Sequence, residues 1–129
     1  MLERSNGKRI LVVARHAPLV AAIVDALSDI DATFRAAYDG DAAIETAEEF
    51  DPDLVILGVR LLKRSGHLVL EQLKRNHDGR EHKPFVIMVS DLKSERHRQW
   101  AKSLGADDWF QEPLQMDRLH RRVEELLRG

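Results

Sequence analysis

The chain has 129 residues, 43% hydrophobic and 33% charged, with a net charge of −2. That length allows one hydrophobic core of ordinary size, and so small a net charge gives no bulk electrostatic reason to bind nucleic acid or an anionic membrane. The absence of cysteine excludes disulfides, thiolate metal sites and cysteine nucleophiles. No apolar run approaches the length of a signal sequence or a membrane span, so a cytoplasmic protein is expected.

Taken in order, Ile10 to Val13 is a run of β-formers and reads as a buried strand. Pro18 marks the first turn of a helix, and Val20, Ile23, Val24 and Leu27 give it one apolar stripe. Thr33 to Ala37 is a weaker strand, diluted by Arg35 and two alanines. Asp39-Gly40-Asp41 supplies a helix N-cap, and Ala43, Ile44 and Ala47 line the inward face of the helix after it. Asp-Pro-Asp at 51–53 leads into Leu54 to Leu57, a continuous apolar run that ends at Gly58. Gly66 opens a helix carrying Leu70 and Leu73, which gives way to a polar loop from Arg75 to Lys83. Phe85 to Val89 is the fourth strand. Ser94 caps a helix stopped by Gly105, Asp107 to Phe110 form a short fifth strand, and Met116 to Leu127 an amphipathic last helix.

Five strands alternating with five helices imply a parallel sheet covered on both faces. The expected closure is a flavodoxin-like, doubly wound (βα)5 sandwich with strand order 2-1-3-4-5, a single domain over 1–129 with its core at about 8–127. In such sheets, chemistry gathers at the carboxyl ends of the strands, which places Gly58 in the middle of any site.

The motifs together resemble the receiver domain of two-component response regulators. They are KRILVV from Lys8, APLV from Ala17, AYDGDAAIE from Ala37, PDLVILG from Pro52, RSG from Arg64, PFVIMVS from Pro84 and LGADDWFQEP from Leu104. The resemblance implies an acidic pair after the first strand that holds Mg²⁺ and an acceptor aspartate at the end of the third. It also implies a Ser or Thr after the fourth strand and a lysine before the last proline. At those places this chain reads Ala14 and Arg15, then Gly58, then Ser90, then Glu112 ahead of Pro113, which matches the family's cis-proline. Only the serine is kept. The resemblance therefore points to a pseudo-receiver: the scaffold without the nucleophile, the metal ligands or the charge clamp that phosphoryl transfer needs.

No enzymatic activity, cofactor or metal is expected. Asp53 belongs at the far end of the third strand, and Asp91, which lacks metal and lysine, reads as a residue that caps or solvates its loop. Ser90 reads as a hydrogen-bonding residue at a strand end, although with Trp109, the family's switch aromatic, it could serve a switch driven by something other than phosphate. His16, His67, His77, His82, His97 and His120 show no ligand spacing and read as surface residues. Arg15 and Glu112 exchange the signs of the family's acidic pair and lysine, so an ion pair between them is expected to close the pocket.

Function is expected to run through a protein partner, a histidine kinase, regulator or other signalling protein, with the chain either a stand-alone adaptor or part of a longer regulator or kinase. The face of the fourth helix, fifth strand and last helix is the expected contact. There Asp108 and Arg122 resemble an opposite-charge pair used across receiver dimers, whereas Arg98 and Arg118 repeat a positive charge, which implies a monomer or weak dimer. The arginines of the last two helices are offset by acidic neighbours, so no nucleic-acid contact is expected. The alternatives are a sensor binding a nucleotide or other anion through Arg15 and Arg60, and a conventional phosphate-accepting regulator, which Gly58 opposes.

Overall fold

The computed structural model describes residues 7–75 and 83–128. Its elements are β1 (Lys8–Val13), α1 (Ala17–Ala26), β2 (Ala32–Ala37), α2 (Gly40–Phe50), β3 (Leu54–Gly58), α3 (Gly66–Arg75), β4 (Phe85–Ser90), α4 (Glu95–Ser103), β5 (Asp108–Gln111) and α5 (Met116–Arg128). All strand pairs are parallel and the order is β2-β1-β3-β4-β5, so β3 is central. This is the flavodoxin-like sandwich expected from the alternation of elements.

Side chains of successive strand residues point to opposite faces, and both faces are covered, which is why β1, β3 and β4 are apolar without interruption. Leu11, Val13, Val55, Leu57, Val86 and Met88 pack with α2, α3 and α4 on one face. Ile10, Val12, Leu54, Ile56, Ile87 and Val89 pack with α1 and α5 on the other. Burying each large aliphatic side chain contributes about 1.5–3 kcal/mol relative to leaving it in water. β2 is an edge strand whose burial alternates only loosely, in keeping with its alanines and Arg35.

Local signals in the sequence stop and start the helices. Asp39 caps α2 by accepting from the Ala42 N–H at 2.8 Å, and Ser94 caps α4 by accepting from the His97 N–H. Gly105, at φ +101°, ends α4 in the region that glycine reaches without strain. Gly66 begins α3 against the end of β3: a Cβ there would lie 2.2 Å from the Gly58 carbonyl oxygen. Only glycine lets the helix approach the strand so closely.

Three expectations need correction. Arg75 lies in the last turn of α3 and not in a loop; residues 76–82 of that loop, with His77 and His82, lie outside the described residues. β5 begins at Asp108, because Asp107 is occupied in holding the sheet edge. Its carboxylate accepts from the Val86 N–H at 2.8 Å and from Lys74 Nζ at 2.8 Å, which ties β4 to the end of α3. His67 is not a surface residue: it is 1% exposed. It stands three residues before Leu70, on the stripe that α3 buries.

Candidate functional site

At the carboxyl ends of the strands lies a small cleft of about 70 Å³, bounded by Ala14, Arg15 and His16 after β1, Gly58 and Arg60 after β3, Ser90 and Asp91 after β4, and Glu112 after β5. The fold thus brings together nearly every residue singled out for the site. Gly58 is the last residue of β3. Ser90 is buried, and its hydroxyl accepts from the Leu92 N–H at 2.9 Å while its carbonyl accepts from the Glu112 N–H at 2.8 Å. It is therefore tied into the β4–α4 turn, as a strand-end serine would be. The Glu112–Pro113 peptide is cis, as expected, and Glu112 lines the cleft. Asp53 is at the opposite end of β3, where its carboxylate accepts from the Arg9 N–H at 2.8 Å.

The cleft does hold an ion pair, but not the expected one. Arg15 and Glu112 do not meet. β1 and β5 are three strand spacings apart, about 14 Å, so residues just beyond them are poorly placed for direct contact. Arg60 and Asp91 pair instead, with Nε donating to Oδ1 at 3.1 Å and a second bond from Nη2 to Oδ2. The sheet explains the choice. β3 and β4 are neighbours with Gly58 opposite Val89, so two residues further on Arg60 stands opposite Asp91. Asp91 is accordingly a clamp across two loops, not a solvated cap. Both side chains are about half exposed.

These contacts set the protonation chemistry. The hydrogen bond from Arg60 holds the Asp91 carboxyl below its usual range, so it stays ionised. Burial, then the nearby charge of Asp91, pushes Glu112 above the usual carboxylate range. Mg²⁺ demands several oxygen ligands in near-octahedral array. The ends of β1 and β3 offer Ala14, Arg15 and Gly58, and the remaining carboxylates are one held by a guanidinium and one that resists ionising. This donor set does not fit the ion. Among the described residues no cluster of three or more His, Cys, Asp or Glu side chains could hold a metal.

Beside the cleft, α3 and α4 hold an aromatic group that composition alone did not reveal. The buried His67 ring donates from Nε2 to the His97 carbonyl at 2.9 Å and stacks on Trp100, with centroids 4.2 Å apart and planes 14° from parallel. Trp109, half-buried on β5, lies 6.4 Å from the same ring. The one available signal was the position of His67 on the apolar stripe of α3.

On the last face, Arg122 pairs with Asp108 at 2.8 Å within this chain. Arg98 pairs with Glu95 at 3.1 Å, and Arg118 donates to Gln115 at 3.2 Å. Both Arg98 and Arg118 are exposed.

A model of the response regulator receiver domain matches residues 10–124. The chain belongs to that family. Among curated relatives, this receiver domain is 31% identical over 123 residues to "Probable transcriptional regulator ycf27" of Cyanophora paradoxa, covering 95% of this chain and 49% of that protein. The chain spans about half the length of the curated relatives it matches. Among solved structures, NtrX from Brucella abortus, in complex with ADP, superposes with a TM-score of 0.83 at 27% identity, over 95% of this chain and 27% of that one. A CheY-like receiver domain protein from Methanospirillum hungatei gives a TM-score of 0.84 at 20% identity, covering 93% of each chain, which speaks for the fold alone. Receiver domains work through partner signalling proteins. Among the described residues of this one, no helix is long and apolar enough to cross a membrane.

Proposed function

We propose that this receiver domain does not accept phosphate and acts by binding a protein partner, as a single module covering 1–129. The observation that carries the reading is the composition of the cleft. Where an acyl phosphate would have to form, β3 ends in Gly58, which offers no nucleophile. The nearest carboxylate with a fixed charge, Asp91, is already bound by Arg60. An attacking carboxylate needs a free lone pair in line with the phosphorus and cations around the transferring oxygens. Arg60 occupies one lone pair on each Asp91 oxygen and fixes the carboxylate toward itself, and the donor set at the strand ends fails to supply a metal as the second.

Such a module transmits no phosphorylation signal of its own, and its output is the occupancy of its partner. The face of α4, β5 and α5 is open to a partner: Arg98 and Arg118 are exposed, whereas Asp108 and Arg122 neutralise each other within the chain. With Arg98 and Arg122 paired to acids inside the chain and Arg118 bonded, among the described residues, only to the neutral Gln115, this face offers no acidic counterpart for a second copy, so a monomer or weak dimer is expected by sedimentation. Trp109, on β5 within this face, lines surface hollows with Arg98 and with Arg118 and would be the residue to register a bound partner. A nucleotide or other anion enclosed in the cleft is a weaker reading, because the cleft is only about 70 Å³ and Asp91 and Glu112 line it together with Arg15 and Arg60.

The test is direct. Incubation with Mg²⁺ and acetyl phosphate should leave the intact mass unchanged, and a phosphate adduct of any stability overturns the reading.

A further inference from the structure

An open groove of about 390 Å³ runs beside the cleft, between the β3–α3 loop and α4. Its walls combine an exposed aromatic ring with apolar and cationic side chains. Trp100 is 45% exposed although one face of its indole is covered by the stacked His67 ring, so the outer face lies open to solvent. Leu61 and Leu92, both half-buried, continue the apolar lining. Here the exposed indole is contiguous with other apolar lining residues, and tryptophan is enriched among the residues that dominate protein interfaces. His97, also in the lining, carries a buried Nδ1 with no hydrogen-bond partner among the described residues.

The charged residues that line the groove are cationic, although Asp91 stands at its edge. They are Arg15 and Arg60, and no carboxylate lines the groove. Asp91 engages Arg60. Arg15 makes no hydrogen bond or salt bridge among the described residues, and although its charge acts on the Asp91 carboxylate across the cleft, its guanidinium donors at the head of the groove are not engaged. The loop from Val59 to Ser65 adds Lys63 and Arg64 and contains no acid, although both reach toward carboxylates of α2 or its cap. A guanidinium in such a place binds carboxylates in a fixed, forked geometry.

We propose that this groove binds an acidic segment of a partner protein, seating one aromatic or leucine side chain against Trp100 and pairing an adjacent carboxylate with Arg15. The inference rests on the protein-binding reading above and moves the decisive contact from the α4–β5–α5 face to the α3–α4 groove. The aromatic anchor supplies contact area and excludes water from the ion pair, and the arginine sets the direction of the segment.

The experiment is selection of a random phage-displayed peptide library on the intact protein, then titration of the recovered peptides, fluorescein-labelled, by anisotropy. Recovered sequences should place Asp or Glu beside an aromatic or leucine residue. Their binding should weaken about tenfold or more in Trp100→Ala and in Arg15→Glu, and survive in Arg118→Glu. Arg15 is exposed, so Arg15→Glu reports on the groove even if Trp100→Ala perturbs α4. The proposal is overturned by recovery of no peptides above background, by basic or purely apolar sequences, or by binding that ignores both groove variants. Loss of binding only in Arg118→Glu would assign the contact to the α4–β5–α5 face. A dimer of this protein that Trp100→Ala dissociates would assign the groove to a second copy. Either result ends this proposal, while the mass measurement with acetyl phosphate decides the phosphorylation reading by itself.

Discussion

Gly58 lies outside the left-handed backbone region, and a Cβ at that position would come 3.3 Å from the Val13 carbonyl oxygen. The contact is tight but relieved by a shift of a few tenths of an ångström. Backbone strain therefore does not demand glycine at the end of β3, and Gly58→Ala should change stability by no more than about 1 kcal/mol in either direction. Gly58→Asp should fold as well and still show no phosphate adduct by mass, because Arg15 and Glu112 remain unable to hold a metal or neutralise the transferring group. Adduct formation in that single variant would show that the rest of the site is competent. The Arg60–Asp91 pair makes a second prediction at this scale. A double-mutant cycle of Arg60→Ala and Asp91→Ala should show coupling at low salt that fades as ionic strength rises, since both side chains face water. The corresponding cycle for Arg15→Ala and Glu112→Ala should be additive.

Between elements, the tightest approach is that of α3 to β3. A methyl group on Gly66 would run into the Gly58 carbonyl and the Val59 Cα, both backbone. Gly66→Ala is therefore expected to cost about 1–3 kcal/mol or more in denaturant unfolding, far beyond Gly58→Ala. Two histidines couple elements with opposite pH dependence. Burial lowers the pKa of His67 from its ordinary 6.5. Its contribution is therefore complete above pH 6.5 and is lost as pH falls from there through the lower folded value. The hydrogen bond to Asp29, 2.7 Å from its Nε2, raises the pKa of His120, which links α5 to the turn after α1. That contribution is complete below 6.5 and is lost as pH rises through the raised folded value. Unfolding measured across about pH 5 to 8 should lose the acid-side slope in His67→Gln and the alkaline-side slope in His120→Gln. Unchanged slopes would refute the assignments. These elements were legible in the sequence because the three central strands each carry an uninterrupted apolar run and several boundaries carry a glycine, a proline or a capping side chain. The partners of charged groups were not. Arg60 meets Asp91 through the register of β3 against β4, and no residue near either one announces that register. The burial of His67 was legible in principle, since counting back one turn from Leu70 places it on the apolar stripe.

For the molecule as a whole, the proposed loss of phosphate chemistry at the strand ends is compatible with an intact receiver fold, because the core and the cleft share few residues. Most core residues of the strands lie below the strand ends, and the cleft is built from the last strand residues and the loop residues just beyond them, with only Ala14, Val59 and Val89 of the buried core in its lining. The sheet also divides the core in two, with α2, α3 and α4 against one face and α1 and α5 against the other. That division predicts how mutations combine. Leu57→Ala with Leu70→Ala, on the same face, should depart from additivity, because each void changes how its neighbours can collapse. Leu57→Ala with Ile23→Ala, on opposite faces, should sum to within about 0.5 kcal/mol. The two halves can therefore drift in sequence almost independently. A lineage that remodels the α3–α4 side to suit a new ligand need not alter the packing of α1 or α5, so a contact made on that far side could outlast several changes of occupant in the groove.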